Sequence, residues 1–126
     1  KNKIQITCVV DGKLLDFIHV MDICSIFGNA LDNAIEHVIL IPEEEKRLIH
    51  MSVSAKKNFV FIKIENYCES EIIKNQHSLI TTTKADKQNH GFGLRSICAA
   101  AEKYGGSVSF EQVQNWFELK ILLLRG

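Results

Sequence analysis

Two short segments carry the residues most able to do chemistry. One is Asn29-Ala-Leu-Asp-Asn33-Ala within an apolar helical pattern, and the other is His90-Gly-Phe-Gly-Leu94 at the opening of a second one. Two carboxamides four residues apart lie one turn apart on the same helix face, so both can reach a single metal–phosphate cluster. A Gly-x-Gly that runs directly into a helix offers backbone N–H groups and the positive end of the helix dipole to phosphate oxygens. Either segment alone is also compatible with a solvated helix face or a plain helix start. The two in this order, with a polar stretch between them, point to a nucleotide site.

The elements that must position these residues follow from hydrophobic periodicity. Residues 4–10 read as a strand ending at Asp11-Gly12. Asp22 is the expected N-cap of a long helix whose apolar stripe is Ile23, Ile26, Phe27, Ala30, Leu31, Ala34 and Val38, stopping before Pro42. Asn29, Asn33 and His37 project from another strip of that helix, and His37 is read as a packing or helix-surface residue. Residues 48–55 and 59–66 predict an antiparallel hairpin across Lys56-Lys57-Asn58. Residues 69–75 suggest a short helix, and 76–89 are polar without a hydrophobic period, a loop of the length that lids and binding segments have. A helix over 94–104 is stopped by Gly105-Gly106, and 107–112 with 116–124 close a second hairpin across Gln114-Asn115. Trp116 and Phe117 are expected in the core. The order β, α, β, β, loop, α, β, β predicts an α/β two-layer sandwich: a mixed, mostly antiparallel sheet with its helices on one face.

The chain has 126 residues, 46% hydrophobic, with a single proline, which fits one folded domain over 1–126. Fifteen basic residues balance fifteen acidic ones, so nothing favours nucleic acid or a membrane surface as partner. No apolar stretch approaches the roughly 20 residues of a spanning helix. Cys8, Cys24, Cys68 and Cys98 form no Cys-x-x-Cys and read as buried thiols of a reducing compartment, and the histidines at 19, 37, 50, 77 and 90 show no metal-ligand spacing. The abrupt start at a strand suggests a domain cut from a longer protein.

The segments Ile26-Phe27-Gly28-Asn29-Ala30-Leu31-Asp32-Asn33-Ala34-Ile35-Glu36 and Asn89-His90-Gly91-Phe92-Gly93-Leu94 resemble the asparagine box and second glycine box of the Bergerat ATP-binding fold. That fold is shared by DNA gyrase, the heat-shock-90 chaperones, sensor histidine kinases and the MutL proteins. Leu-Asp-Asn-Ala-Ile-Glu, the Thr-Thr-Lys ending at Lys84, His-Gly-x-Gly-Leu and the final Lys103-Tyr104-Gly105-Gly106 are similar to the AgrC-like peptide-pheromone receptor kinases of Gram-positive bacteria. The resemblance implies ATP and Mg²⁺ as cofactors, with Asn29 and Asn33 as catalytic and metal-binding residues. It also implies nucleotide contacts from Asn66, Lys84, His90, Gly91, Phe92, Gly93 and Leu94. Asn66 stands where most relatives carry an aspartate that reads adenine, and no first glycine box follows it; its carboxamide can both accept and donate.

Where hydrolysing relatives place a glutamate as general base, this chain has Asn29, which cannot take a proton at neutral pH; that favours phosphoryl transfer over hydrolysis. Cationic help falls to Lys84, Lys87, His90 or Arg95. The activity implied is transfer of the γ-phosphate to a histidine on a separate dimerisation domain in two-component signalling, here quorum sensing. A response regulator lies downstream, and the cytoplasmic domain belongs to a homodimeric parent in the cell membrane. A catalytically degenerate nucleotide-binding module acting through protein contacts is the alternative.

Overall fold

The computed structural model describes residues 3–69, 78–79 and 91–125. The strands are β1 (Gln5–Val9), β2 (Leu48–Lys56), β3 (Phe59–Tyr67), β4 (Ser78–Leu79), β5 (Ser107–Val113) and β6 (Trp116–Leu124), and the α-helices are α1 (Val20–Val38) and α2 (Gly91–Lys103). Short 3-10 turns occupy Gly12–Leu15 and Glu44–Lys46. The sheet runs in the order β1-β2-β3-β6-β5-β4. The crossover through α1 leaves β1 parallel to β2, whereas every other pair is antiparallel. The predicted architecture is therefore present: among the described residues, a mixed, mostly antiparallel sheet carries α1 and α2 on one face.

Period-2 alternation decides which side of each strand meets the helices. Val60, Ile62 and Ile64 of β3, Val108 and Phe110 of β5, and Phe117, Leu119, Ile121 and Leu123 of β6 join Ile26, Ala30, Ala34 and Val38 of α1 and Leu94, Ile97 and Ala101 of α2 in one buried cluster. Both two-residue hairpin turns place their first residue, Lys57 at φ 58° and Gln114 at φ 56°, in the left-handed region that suits the twist of the flanking strands.

Five details differ from the sequence reading. His19, not Asp22, caps α1: its Nδ1 accepts the Met21 N–H at 3.1 Å. Asp22 lies in the first turn, where its buried carboxylate accepts from Lys103 Nζ at 3.0 Å to each oxygen and from the Tyr104 hydroxyl at 2.6 Å. The helix expected from residue 94 begins at Gly91. Cys8 and Cys24 are exposed, because β1 is an edge strand without a buried residue and Cys24 lies on the outer side of α1; Cys68 and Cys98 are buried. Trp116 lies on the face of the sheet opposite α1 and α2, half-buried and stacked on His50 with ring centroids 4.7 Å apart, because alternation along β6 assigns the core position to Phe117. Of the polar stretch 76–89, Ser78–Leu79 pairs with β5, so the loop contributes a strand to the sheet edge. The other residues of that stretch, and residues 70–75 of the short helix expected over 69–75, lie outside the described residues; residue 69 is not helical.

Candidate nucleotide site

Asn29 stands midway along α1 because its own strip of the helix adjoins the apolar stripe that docks on the sheet. Its Nδ2 donates to the Ser25 carbonyl at 2.7 Å, one turn back, and approaches Ser25 Oγ at 3.4 Å. That bond fixes the carboxamide so that its oxygen faces α2: a Cβ added at Gly93 would sit 3.7 Å from Asn29 Oδ1. The two segments singled out in the sequence, more than fifty residues apart, therefore meet side by side. Ser25 is a positioning residue that the sequence reading did not single out; its only signal is the four-residue spacing to Asn29.

Asn33 follows one turn later, half-buried and without a hydrogen bond among the described residues. His37 follows another turn on, with its ring 5.1 Å from that of Phe117 in an edge contact, which is the packing role expected of it. Phe117 is the β6 partner of Asn66. Asn66 ends the helix-facing row Val60, Ile62, Ile64 of β3 and is 1% exposed, with Nδ2 donating to the Tyr67 carbonyl at 3.3 Å. The strip Asn29–Asn33–His37 thus runs about 12 Å along α1. It leads from the start of α2 to the end of the β3–β6 pair that carries Asn66.

Gly91 and Phe92 open α2, whose first N–H groups have no intrahelical acceptor. Gly93 lies in the first turn beside Asn29, and Leu94 is buried at 6% exposure, so its side chain anchors the helix start in the core. Lys84 and His90 lie outside the described residues. Arg95 is exposed on the first turns of α2, and Lys103, at the opposite end of that helix, is engaged with Asp22.

The donor set suits a hard cation. Asn29 commits its N–H₂ to Ser25 and keeps its oxygen turned toward the α2 start, and amide oxygens are the class of ligand that Mg²⁺ and Ca²⁺ accept. No group of three or more His, Cys, Asp or Glu able to hold a metal occurs among the described residues, so a cation here would need oxygens from its ligand as well. This is the habit of Mg²⁺ bound together with phosphates.

The fold is found in solved histidine kinases. The kinase AdeS of Acinetobacter baumannii matches with a TM-score of 0.63 at 12% identity, over 99% of this chain and 56% of that one. The nucleotide-free catalytic domain of ThkA matches at 0.65 and 17%, over 98% and 80% of the respective chains. Full-length ShkA in complex with AMPPNP matches at 0.64 and 15%, over 97% of this chain and 26% of that one. The chain therefore spans little more than half of AdeS and about a quarter of ShkA, and at these identities the likeness concerns the fold. No curated protein sequence matches the chain. The family model described as GHKL domain matches residues 18–124, which take in α1, α2 and five of the six strands. Its sequence and its fold agree, and the chain belongs to the GHKL domain family.

Proposed function

We propose that this chain binds Mg-ATP along the Asn29–Asn33–His37 strip and acts as the catalytic domain of a sensor histidine kinase. The observation that carries the reading is the approach of Asn29 Oδ1 to Gly93, which joins a carboxamide pair to a glycine-opened helix N-terminus. Phosphates would be held at the α2 start by backbone N–H groups and the helix dipole, and Asn29 and Asn33 would hold Mg²⁺ beside them. The base extends toward Asn66, whose buried carboxamide can accept from an exocyclic amine and donate to a ring nitrogen. Lys84, His90, Gly91, Phe92, Gly93 and Leu94 complete the contacts. The bound Mg²⁺ neutralises phosphate charge.

Asn29 has no proton-accepting group, and its nitrogen is tied to Ser25. The residues here orient and neutralise rather than activate water, which suits phosphoryl transfer. In the step itself, an imidazole nitrogen of the acceptor forms a bond to the γ-phosphorus as the bond to the bridging oxygen breaks. ADP leaves with that electron pair, and the imidazole N–H proton passes to solvent. The acceptor belongs to the dimerisation domain of a homodimeric parent in the cell membrane, whose response regulator takes the phosphate onward. The motif wording favours the AgrC-like subgroup and a peptide pheromone as signal. Incubating this chain and [γ-³²P]ATP with the dimerisation segment of its own parent is expected to produce acid-labile phosphate on that segment. ATP binding without transfer would favour the second reading, a nucleotide-binding regulatory module, which Asn66 in the aspartate position keeps open.

A further inference from the structure

The face of the sheet opposite α1 and α2 is built in rows that complement themselves. Strand register aligns Tyr67, Trp116 and Val113 in one row, and His50, Glu65, Glu118 and Glu111 in the next. Ser52, Lys63, Lys120 and Ser109 form the third row, and Ser54, Phe61, Leu122 and Ser107 the fourth. The last two rows line an open groove of about 460 Å³, with serines as its walls and Phe61 and Leu122 in its floor. The first row is bulky and aromatic: Trp116 packs on His50 at 4.7 Å and on Tyr67 at 5.6 Å. Like charges sit directly opposite across strands, Lys63 against Lys120 and Glu118 against both Glu65 and Glu111, an arrangement that costs stability in an isolated sheet. Contacts along and diagonal to the strands offset part of this, at 3.7 Å for Lys63–Glu65, 3.6 Å for Lys120–Glu118 and 3.2 Å for Lys120–Glu111.

We infer that this face docks a second copy of the chain, sheet to sheet, about a two-fold axis that runs along the rows between the acidic and the basic one. That rotation keeps β3 over β3 and β6 over β6 while reversing their direction. Glu65 of each copy then faces Lys63 of the other, and Glu118 faces Lys120. Trp116 and Tyr67 of each copy meet the serine-walled groove of the other. Charge and shape are satisfied by the same operator, as an isologous interface requires. Four strands by four rows cover roughly 19 Å by 27 Å, about 500 Å² per copy. That is below the ~800 Å² per partner of a standard stable interface, so the dimer is weak and concentration-dependent.

The test is sedimentation equilibrium of the wild-type chain, of Lys63→Glu/Lys120→Glu and of Glu65→Lys/Glu118→Lys, each checked for native circular dichroism. The wild type is expected to associate reversibly, with association weakened about tenfold or more in each variant alone. Association is expected to return when the two variants are mixed, and Trp116→Ala is expected to weaken the mixture as well. A wild type that stays monomeric to millimolar concentration overturns the inference. So does a dimer that neither charge reversal nor Trp116→Ala affects, because its interface then lies elsewhere.

Discussion

Replacing Gly105 and Gly106 by alanine, one at a time, separates two physical reasons for a glycine. At the end of α2 the Gly105 N–H donates to the Glu102 carbonyl at 3.1 Å and the Gly106 N–H to the Ala101 carbonyl at 2.9 Å, the paired bonds of a Schellman cap. Gly105 has φ +66°, and an added Cβ would meet only the Leu124 side chain at 3.6 Å, an ordinary contact. Its substitution costs backbone energy alone: about 1–2 kcal/mol for an L residue in the left-handed region, less about 0.4–1 kcal/mol for the freedom removed from the unfolded chain. The expected loss is about 1 kcal/mol. At Gly106 an added Cβ would lie 1.7 Å from the Leu122 carbonyl oxygen and 2.7 Å from its carbon. Leu122 belongs to β6, which is paired on both sides with β3 and β5, so this carbonyl moves only if ladder bonds break. Overpacking at about 1–3 kcal/mol plus ladder bonds at about 1 kcal/mol each gives a loss of about 3 kcal/mol or more. Urea unfolding followed by Trp116 fluorescence and far-ultraviolet circular dichroism measures both. A Gly106→Ala protein that is folded and no less stable than Gly105→Ala would refute this reasoning.

Three further outcomes are expected. Asn66→Leu removes one long hydrogen bond of about 0.5–1.5 kcal/mol and restores apolar packing, so the melting temperature should change little. ATP affinity should fall about tenfold or more, as read by the ATP-induced shift in that melt. Gly93→Ala places its methyl in ordinary contact with Asn29 Oδ1, and so should fold normally by circular dichroism, whereas Gly93→Val, branched at that contact, should weaken Mg-ATP binding in calorimetry. The Tyr104 hydroxyl, and after it Lys103, hold the Asp22 carboxyl below its ordinary value of 3.8. A carboxylate lowered by folding stabilises the protein above its unfolded value, and this contribution is lost as pH falls through the folded one. Stability of the wild type should therefore drop below pH 4 relative to its neutral value more steeply than that of Asp22→Asn, as followed by urea midpoints from pH 6 to 3.

The sequence made the helix stripes and hairpins legible because their periods, 3.6 and 2, continue over whole elements such as 59–66 and 116–124. It made the candidate site legible because Asn29, Asn33 and the glycines fall at spacings with a direct geometric meaning. It did not reveal that Asn29 meets Gly93, since helix packing is long-range and either helix could have docked in another register. Asp22 was misread as a cap for the same reason: an acidic residue ahead of an apolar stripe looks like an N-cap, and the partners that draw it inward, Lys103 and Tyr104, lie eighty residues away. The exposure of Cys8 and the half-buried place of Trp116 depended on which strand forms the sheet edge and which of two adjacent aromatics takes the core position. Alternation alone fixes the latter only once the register of β6 is known.

A Mg-ATP site formed by Asn29, Asn33 and the start of α2 is tested by calorimetric titration of the chain with ATP, with and without Mg²⁺, beside Asn33→Ala. The wild type is expected to bind ATP one-to-one and only with Mg²⁺, and Asn33→Ala to lose that binding with circular dichroism and melting temperature unchanged. Equal affinity in both proteins, or binding indifferent to Mg²⁺, would contradict it.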